Sequence, residues 1–149
     1  MDVNMRNGSM HQLFKFQNEQ GMADVLEGNA TLEEVAQEVD TNLFVIPSGT
    51  CNVDPISFLD TIKMQELIKK AKEKYAMVLI DSAHLLRHKD AVVLAPYVDG
   101  IIVVVEEGKS RHEVVKTVLQ PLEQKKANIV GVILNGRTFV IPQFIYERI

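Results

Sequence analysis

The sequence lacks the features of secreted and membrane-spanning proteins. Its 149 residues include one cysteine, Cys51, which cannot form an internal disulfide bond. Apolar runs such as 77–80 and 101–105 are far shorter than the roughly 20 residues that span a bilayer. A charged leader followed by an apolar core is also missing at the N-terminus. These absences predict a cytoplasmic chain.

A surplus of positive charge is absent as well. The chain has 16 lysines and arginines against 20 acidic residues, and its formal net charge is −4. The basic residues are scattered or lie in mixed runs such as 69–74, which we interpret as a solvated helix face. The composition therefore argues against a general electrostatic grip on nucleic acid.

Several catalytic and metal-binding motifs are missing. The four histidines show no zinc-site spacing with the single cysteine, and the Gly-x-Ser-x-Gly signature of a hydrolase nucleophile does not occur. Gly108-Lys109-Ser110 imitates the end of a phosphate-binding loop, but Val103 stands where that motif requires glycine. We interpret Ser110 as a helix cap and Lys109 as a solvated loop cation.

A regular alternation of helical and strand patterns is present. Hydrophobic residues make up 46% of the sequence, which is enough for one core. Short runs rich in valine and isoleucine predict strands buried on both faces. These runs are 43–46, 77–80, 101–105 and 129–134. Helical spacing of apolar residues after Pro55 and after Ser110 predicts two amphipathic helices. The pattern predicts a single α/β domain, residues 1–149, with a mainly parallel sheet and helices on both faces.

Local signals mark helix ends and a ligand-binding edge. Thr31 and Glu34 match a capping box, in which a hydroxyl and a carboxylate bind the free amides of the first helical turn. Gly28-Asn29 separates two short helices. The loop 48–55 follows the first complete strand, at the edge where open α/β sheets usually hold ligands.

Two polar strand ends form the candidate site. The apolar run 77–80 followed by Asp81 has the form of a Walker B strand, which places a carboxylate beside magnesium and a triphosphate. Asp2 and Asn4 lie on the same side of an extended segment because strand side chains alternate. Two alternatives remain open: Asp81 caps the following loop, or residues 2–6 form a frayed, solvated terminus.

An ordered series of segments along nearly the whole chain matches one family. The segments are Asp2–Arg6, Leu13-Phe14, Gly21–Leu26, Leu43–Gly49, Asn52–Pro55, Leu79–Ser82, Asp90-Ala91, Gly131–Asn135 and the closing Asn135–Pro142. The series resembles the cytoplasmic domain of the bacterial tyrosine kinases of capsule and exopolysaccharide synthesis, which have a deviant-Walker P-loop ATPase fold. Gly21–Leu26 and the loop from Pro47 to Pro55 fit this branch better than the septum-positioning and plasmid-partition ATPases.

The resemblance implies a site that binds ATP and Mg²⁺ and transfers the γ-phosphoryl group to tyrosine. Asp2, Asn4 and Asp81 would be the catalytic residues, with Asp2 near the tyrosine hydroxyl. Asp81 and Asp2 would hold the metal. Asn135 and Arg137 would lie beside the adenine. Such chemistry depends mainly on positioning and charge stabilisation.

The sequence departs from the family pattern in several places. The strand body and the phosphate-binding loop that the resemblance places before Met1 are not in the sequence, so we expect an N-terminally truncated domain with little independent ATP binding or turnover. Asn4 replaces a second acid, and Ala83-His84 replaces a proline pair. Tyr146 stands where many members carry a tyrosine cluster, and we interpret it as a packing or surface residue. A missing inner strand also predicts lower stability or self-association.

Three hypotheses follow from these observations. The first is an ATP-dependent protein-tyrosine kinase domain, or part of one, that regulates capsular and exopolysaccharide biosynthesis and export. Its implied partners are a membrane-embedded polysaccharide chain-length regulator and a protein tyrosine substrate, without nucleic acid. Its implied location is the cytoplasm, including the inner face of the membrane through that regulator. The second is a non-catalytic interaction module that retains the fold, and the third is a partitioning-type ATPase.

Overall fold

The computed structural model describes residues 1–51, 53–108 and 112–136. By its internal contacts the chain divides into two compact units, Met1–Val98 and Asp99–Ile149. The predictions for Ser110, Arg137 and Tyr146 concern residues outside the described ranges.

The first unit consists of short helices, one long helix and a β-hairpin. Its elements are α1 (Met10–Phe14), α2 (Met22–Glu27), α3 (Leu32–Val35), β1 (Gln37–Asp40), β2 (Leu43–Val45), α4 (Ile56–Leu59), α5 (Ile62–Lys74), α6 (Asp90–Leu94) and a 3₁₀ turn (Ala95–Tyr97). Side chains of α2, α3 and α5 form most of its core, together with Val3 and Ile46. The apolar face of α5 therefore anchors the segments that carry the candidate site.

Helix ends in the first unit follow the local signals. Thr31 accepts a hydrogen bond from the Glu34 amide at 3.3 Å, and the Glu34 carboxylate accepts one from the Thr31 amide at 2.7 Å. Gly28 ends α2 with φ at 91°, the left-handed conformation that glycine adopts without steric cost. The predicted capping box and the predicted break between two short helices are both confirmed.

The first predicted strand has different surroundings from those expected. β2 pairs antiparallel with β1, and Leu43 and Phe44 are exposed, so the prediction of a strand buried on both faces is wrong here. The sequence pattern missed β1 because Val39 is the single apolar residue in its four positions. A hairpin strand of this composition carries no apolar run to reveal it.

The prediction of a strand buried on both faces is also wrong for residues 77–80. No sheet ladder forms over these residues in the described part of the chain, and Met77 and Leu79 are exposed. Val78 and Ile80 pack against the core instead. The segment is thus covered on one face, as alternating side chains require when apolar neighbours lie on one side only.

The second unit contains a parallel strand pair with a helical connection. Its elements are β3 (Ile101–Glu106), α7 (His112–Gln124) and β4 (Ile129–Asn135). β3 and β4 are parallel, with Val103 opposite Val132 and Glu106 opposite Asn135. Ile102, Val104 and much of β4 are exposed, which corrects the prediction of strands buried on both faces. A two-stranded pair with a single crossover helix can have only one face covered by that helix.

The class is α/β, as predicted, although the strands described here form two separate two-stranded sheets. The helices described in either unit are too short or too polar to cross a membrane.

Candidate active site

The predicted acids of the first unit lie side by side. The Asp2 amide donates to the Ile46 carbonyl at 2.8 Å, and the Val3 amide donates to the Asp81 carbonyl at 2.9 Å. Residues 1–3 are therefore inserted between two other segments, and Asp2 forms a parallel bridge with Asp81. Two acidic residues from distant parts of the sequence are thus neighbours on adjacent segments.

The Asp2 side chain is wholly buried. One carboxylate oxygen, Oδ1, accepts from the Asn4 amide at 3.0 Å. The other, Oδ2, accepts from the Met10 amide at 3.3 Å, at the start of α1. Hydrogen bonds from backbone amides stabilise a buried charge, so Asp2 holds the segment 4–10 in place.

Asp81 is the exposed member of the pair. Partial desolvation of its carboxyl group raises its pKa, the Asp2 carboxylate raises it further, and the Met1 amino group opposes both. Because desolvation is the largest cause and the Asp2 carboxylate the smaller one, a cation close to Asp81 would favour its ionised form. Carboxylate oxygens are ligands that suit a divalent cation such as Mg²⁺.

Asn4 uses its side chain locally. Its Nδ2 donates to the Asn7 carbonyl at 3.3 Å, and its Oδ1 accepts from the Asn7 amide at 3.2 Å. The amide side chain closes a turn immediately after Asp2. Asn4 therefore lies next to the acid pair and contributes no charge to it.

Gly8 brings the 4–10 segment into close contact with the loop after β2. A Cβ at Gly8 would overlap the buried Ser48 hydroxyl and lie 2.9 Å from Asp2 Oδ2. The side chain of Asn18 also binds this loop. It accepts from the Gly49 amide at 3.0 Å and donates to the Gly49 carbonyl at 3.3 Å. Neither contact was predicted from the sequence. The turn-forming residues Asn7-Gly8-Ser9 were the only local signal for the contact at Gly8.

Arg6 joins two further acids at this end of the unit. Its Nη2 lies 2.5 Å from Asp54 Oδ1 and 3.7 Å from Asp90 Oδ1. Asp54 is largely exposed, whereas Asp90 is wholly buried. The hydrogen bond to Asp54 raises the pKa of Arg6 and lowers the pKa of Asp54. Sequence reasoning assigned no role to Arg6.

The remaining predicted residues are Asn135 and Arg137. Asn135 is the last residue of β4 in the second unit and is exposed. Asp2, Asn4 and Asp81 come together in the first unit, while Arg137 falls outside the described ranges. Within those ranges, no cluster of three or more histidine, cysteine or acidic side chains is arranged to hold a metal. A site with one or two carboxylates is nonetheless usual for Mg²⁺ that also binds phosphate.

Known proteins with similar sequences and structures are kinases. No protein-family model matches the chain. It is 33% identical over 137 residues to the tyrosine-protein kinase Etk of Escherichia coli K12, covering 91% of this chain and 19% of that protein. The putative tyrosine-protein kinase in the cps region of Klebsiella pneumoniae is 27% identical with the same coverage. The crystal structure of the VpsO kinase domain aligns with a TM-score of 0.86 at 28% identity, covering 92% of this chain and 68% of that one. The chain is a homologue of the bacterial tyrosine kinases.

The similarity covers nearly all of this tyrosine-kinase homologue but a small part of its relatives. The chain spans about a fifth of the length of Etk and of the Klebsiella kinase. The homologue thus shares the fold of the VpsO kinase domain over most of its length.

Proposed function

We propose that the chain is part of the catalytic region of an ATP-dependent protein-tyrosine kinase that regulates capsular or exopolysaccharide biosynthesis. The observation that carries the proposal is the Asp2–Asp81 bridge in a chain homologous to kinase domains. In a site that binds magnesium and phosphate, the protein usually contributes one or two carboxylates, while phosphate and water supply the other metal ligands. The cps-region relative supports the link to capsule synthesis.

In this proposal the two acids have different tasks. Asp81 is exposed and is the residue we assign to the magnesium shell, where the metal would neutralise charge on the transferred phosphoryl group. Asp2 adds negative charge and keeps the segment 4–10 in place through its two amide contacts. Its assigned role of orienting the incoming tyrosine hydroxyl requires the buried carboxylate to become accessible. Asn4 lies beside the pair without adding charge.

Nucleotide binding has a weaker basis in this chain. Asn135 and Arg137 are our candidates for the adenine side of ATP. The sequence has no Gly-rich loop ending in Gly-Lys-Ser or Gly-Lys-Thr of the required spacing, so the amide cradle for the β- and γ-phosphates is not among these residues. We therefore propose low ATP affinity for the 149-residue chain. In the complete fold we propose one mainly parallel sheet with helices on both faces.

The proposed partners follow from the family. They are a membrane-embedded polysaccharide chain-length regulator, a protein tyrosine substrate and a second copy of the chain, at the cytoplasmic side of the membrane. The alternative of a non-catalytic interaction module is favoured by one specific observation: both Asp2 carboxylate oxygens are already bound by backbone amides. In a module of this kind Asp2 is purely structural.

A calorimetric titration with Mg·ATP tests the proposal. The wild-type chain should bind in the millimolar range, and Asp81→Asn should weaken binding by about tenfold, which corresponds to roughly 1.4 kcal/mol. Asp60→Asn is the matched control because it makes the same change at an exposed acid in a turn. Equal binding by wild type and Asp81→Asn contradicts the assigned site. Absence of binding in the wild type at millimolar ATP favours the non-catalytic module.

A further inference from the structure

We propose that Arg6 is the positioning residue of the candidate site. Its guanidinium holds the segment 4–10, and through it Asp2, against Asp54 and the start of α6. The contacts of Arg6 do not depend on any activity of the protein. Its role in positioning the site rests on the proposed function.

The first step concerns the buried carboxylate of Asp90. Its side chain has no exposed surface, and neither of its oxygens has a hydrogen-bond partner among the described residues. A buried carboxylate without compensation is strongly unfavourable, so a nearby cation is required. Arg6 Nη2 lies 3.7 Å from Asp90 Oδ1 and supplies that charge.

Asp54 is the second carboxylate that contacts the guanidinium of Arg6. Arg6 Nη2 donates to Asp54 Oδ1, which also accepts from the Ile56 amide at 3.4 Å, at the start of α4. One guanidinium nitrogen, Nη2, thus faces two carboxylates, one in the loop before α4 and one at the start of α6. Lysine would keep the positive charge there but not the planar guanidinium.

The third step connects Arg6 with Asp2. Arg6 lies inside the segment 4–10, between the Asn4 and Met10 amides that bind the Asp2 carboxylate. Gly8, in the same segment, packs closely against Ser48 and Asp2. Arg6 therefore restrains the middle of a segment whose two ends hold Asp2. Displacing Arg6 should loosen the acid next to Asp81 without removing any group that touches it.

The test uses the 149-residue chain, with Arg6→Met, Arg6→Lys, Asp90→Asn and the double variant Arg6→Met/Asp90→Asn. Urea unfolding measures how much the charge of Arg6 contributes to the stability of the chain. Arg6→Met should lower the urea midpoint, and adding Asp90→Asn should recover most of that shift because the buried charge is gone. A double variant whose shift equals the sum of the two single shifts overturns the proposed pairing.

Amide hydrogen exchange reports the positioning role. We expect faster exchange of the Asn4 and Met10 amides in Arg6→Met. Arg6→Lys keeps the positive charge but not the planar guanidinium, so it should recover the urea midpoint and only part of the slow exchange. Full rescue of both readouts by lysine assigns Arg6 a merely structural charge role and overturns the proposal. If Arg6→Met does not fold, Asp90→Asn alone decides: it should fold and still accelerate exchange at Asn4 and Met10, and unchanged exchange overturns the proposal.

These measurements need neither nucleotide nor metal. The Mg·ATP titration tests the proposed function, whereas the exchange and unfolding results decide the role of Arg6 separately.

Discussion

Two acids of the first unit are both wholly buried, yet they are compensated in different ways. Asp2 is bound by two backbone amides from residues within the next eight positions of the sequence. Among the residues that the structure describes, Asp90 has no such hydrogen bonds, and it depends on Arg6, which lies far away in the sequence. The carboxylate of Asp2 therefore binds backbone amides that are close in sequence and orders the segment 4–10. Asp90 instead makes the fold dependent on a long-range cation.

The largest expected effect comes from removing the charge of Asp2. Asp2→Asn replaces an acceptor oxygen with an NH₂ group, so one of the Asn4 and Met10 amides loses its partner. Leaving one buried donor unsatisfied should lower the free energy of unfolding by about 2 kcal/mol. Urea denaturation followed by circular dichroism measures the change. Asp90→Asn is the matched control and should change the free energy by less than about 1 kcal/mol, since replacing a poorly paired buried charge is often neutral. Equal losses in the two variants would remove the distinction between the acids.

The second effect concerns the close approach at Gly8. Gly8→Ala places a methyl group against Ser48 Oγ and Asp2 Oδ2, and it should lower the free energy of unfolding by about 1 kcal/mol through overpacking. Thermal unfolding gives the shift. Gly131→Ala is the control, because nothing lies within 4 Å of a Cβ there and alanine suits a strand better than glycine. A Gly8→Ala protein as stable as wild type would show that the 4–10 segment is not tightly packed on Asp2.

The smallest effect concerns Asp81 and its dependence on pH. Its folded-state pKa is raised, so the native state binds the proton more tightly than the unfolded chain does. The protonated form therefore favours folding, and this contribution is lost as pH rises through the folded pKa. Asp81→Asn should be slightly more stable than wild type near pH 7 and indistinguishable from it below about pH 3, where the unfolded carboxyl group is also protonated.

The same variant offers a check with metal. Millimolar Mg²⁺ should raise the urea midpoint of the wild type at pH 7 by neutralising the acid pair, and it should leave Asp81→Asn unchanged. A flat difference between wild type and Asp81→Asn across the pH range contradicts the raised pKa. An identical magnesium effect in both proteins contradicts the metal assignment.

Local features of the fold were predictable where they depend on neighbouring residues. The Thr31 cap, the break at Gly28 and the helix of the second unit follow from short sequence patterns, and the structure contains each of them. The hairpin strand β1 was not predictable, because its four residues carry no apolar run. The exposure of Met77 and Leu79 was also missed, since periodicity identifies an extended apolar segment but not which of its faces is covered.

The candidate site shows the same division. The sequence by itself determined that Asp81 ends an extended apolar segment, because a carboxylate adjoining an apolar run is visible without any fold. Tertiary structure decided that Asp2 is buried on two amides, that Asp81 remains exposed, and that Arg6 reaches Asp54 across 48 positions and Asp90 from farther still. Burial and charge pairing depend on which distant segments pack together. That packing is a property of the folded chain as a whole, which no local pattern encodes.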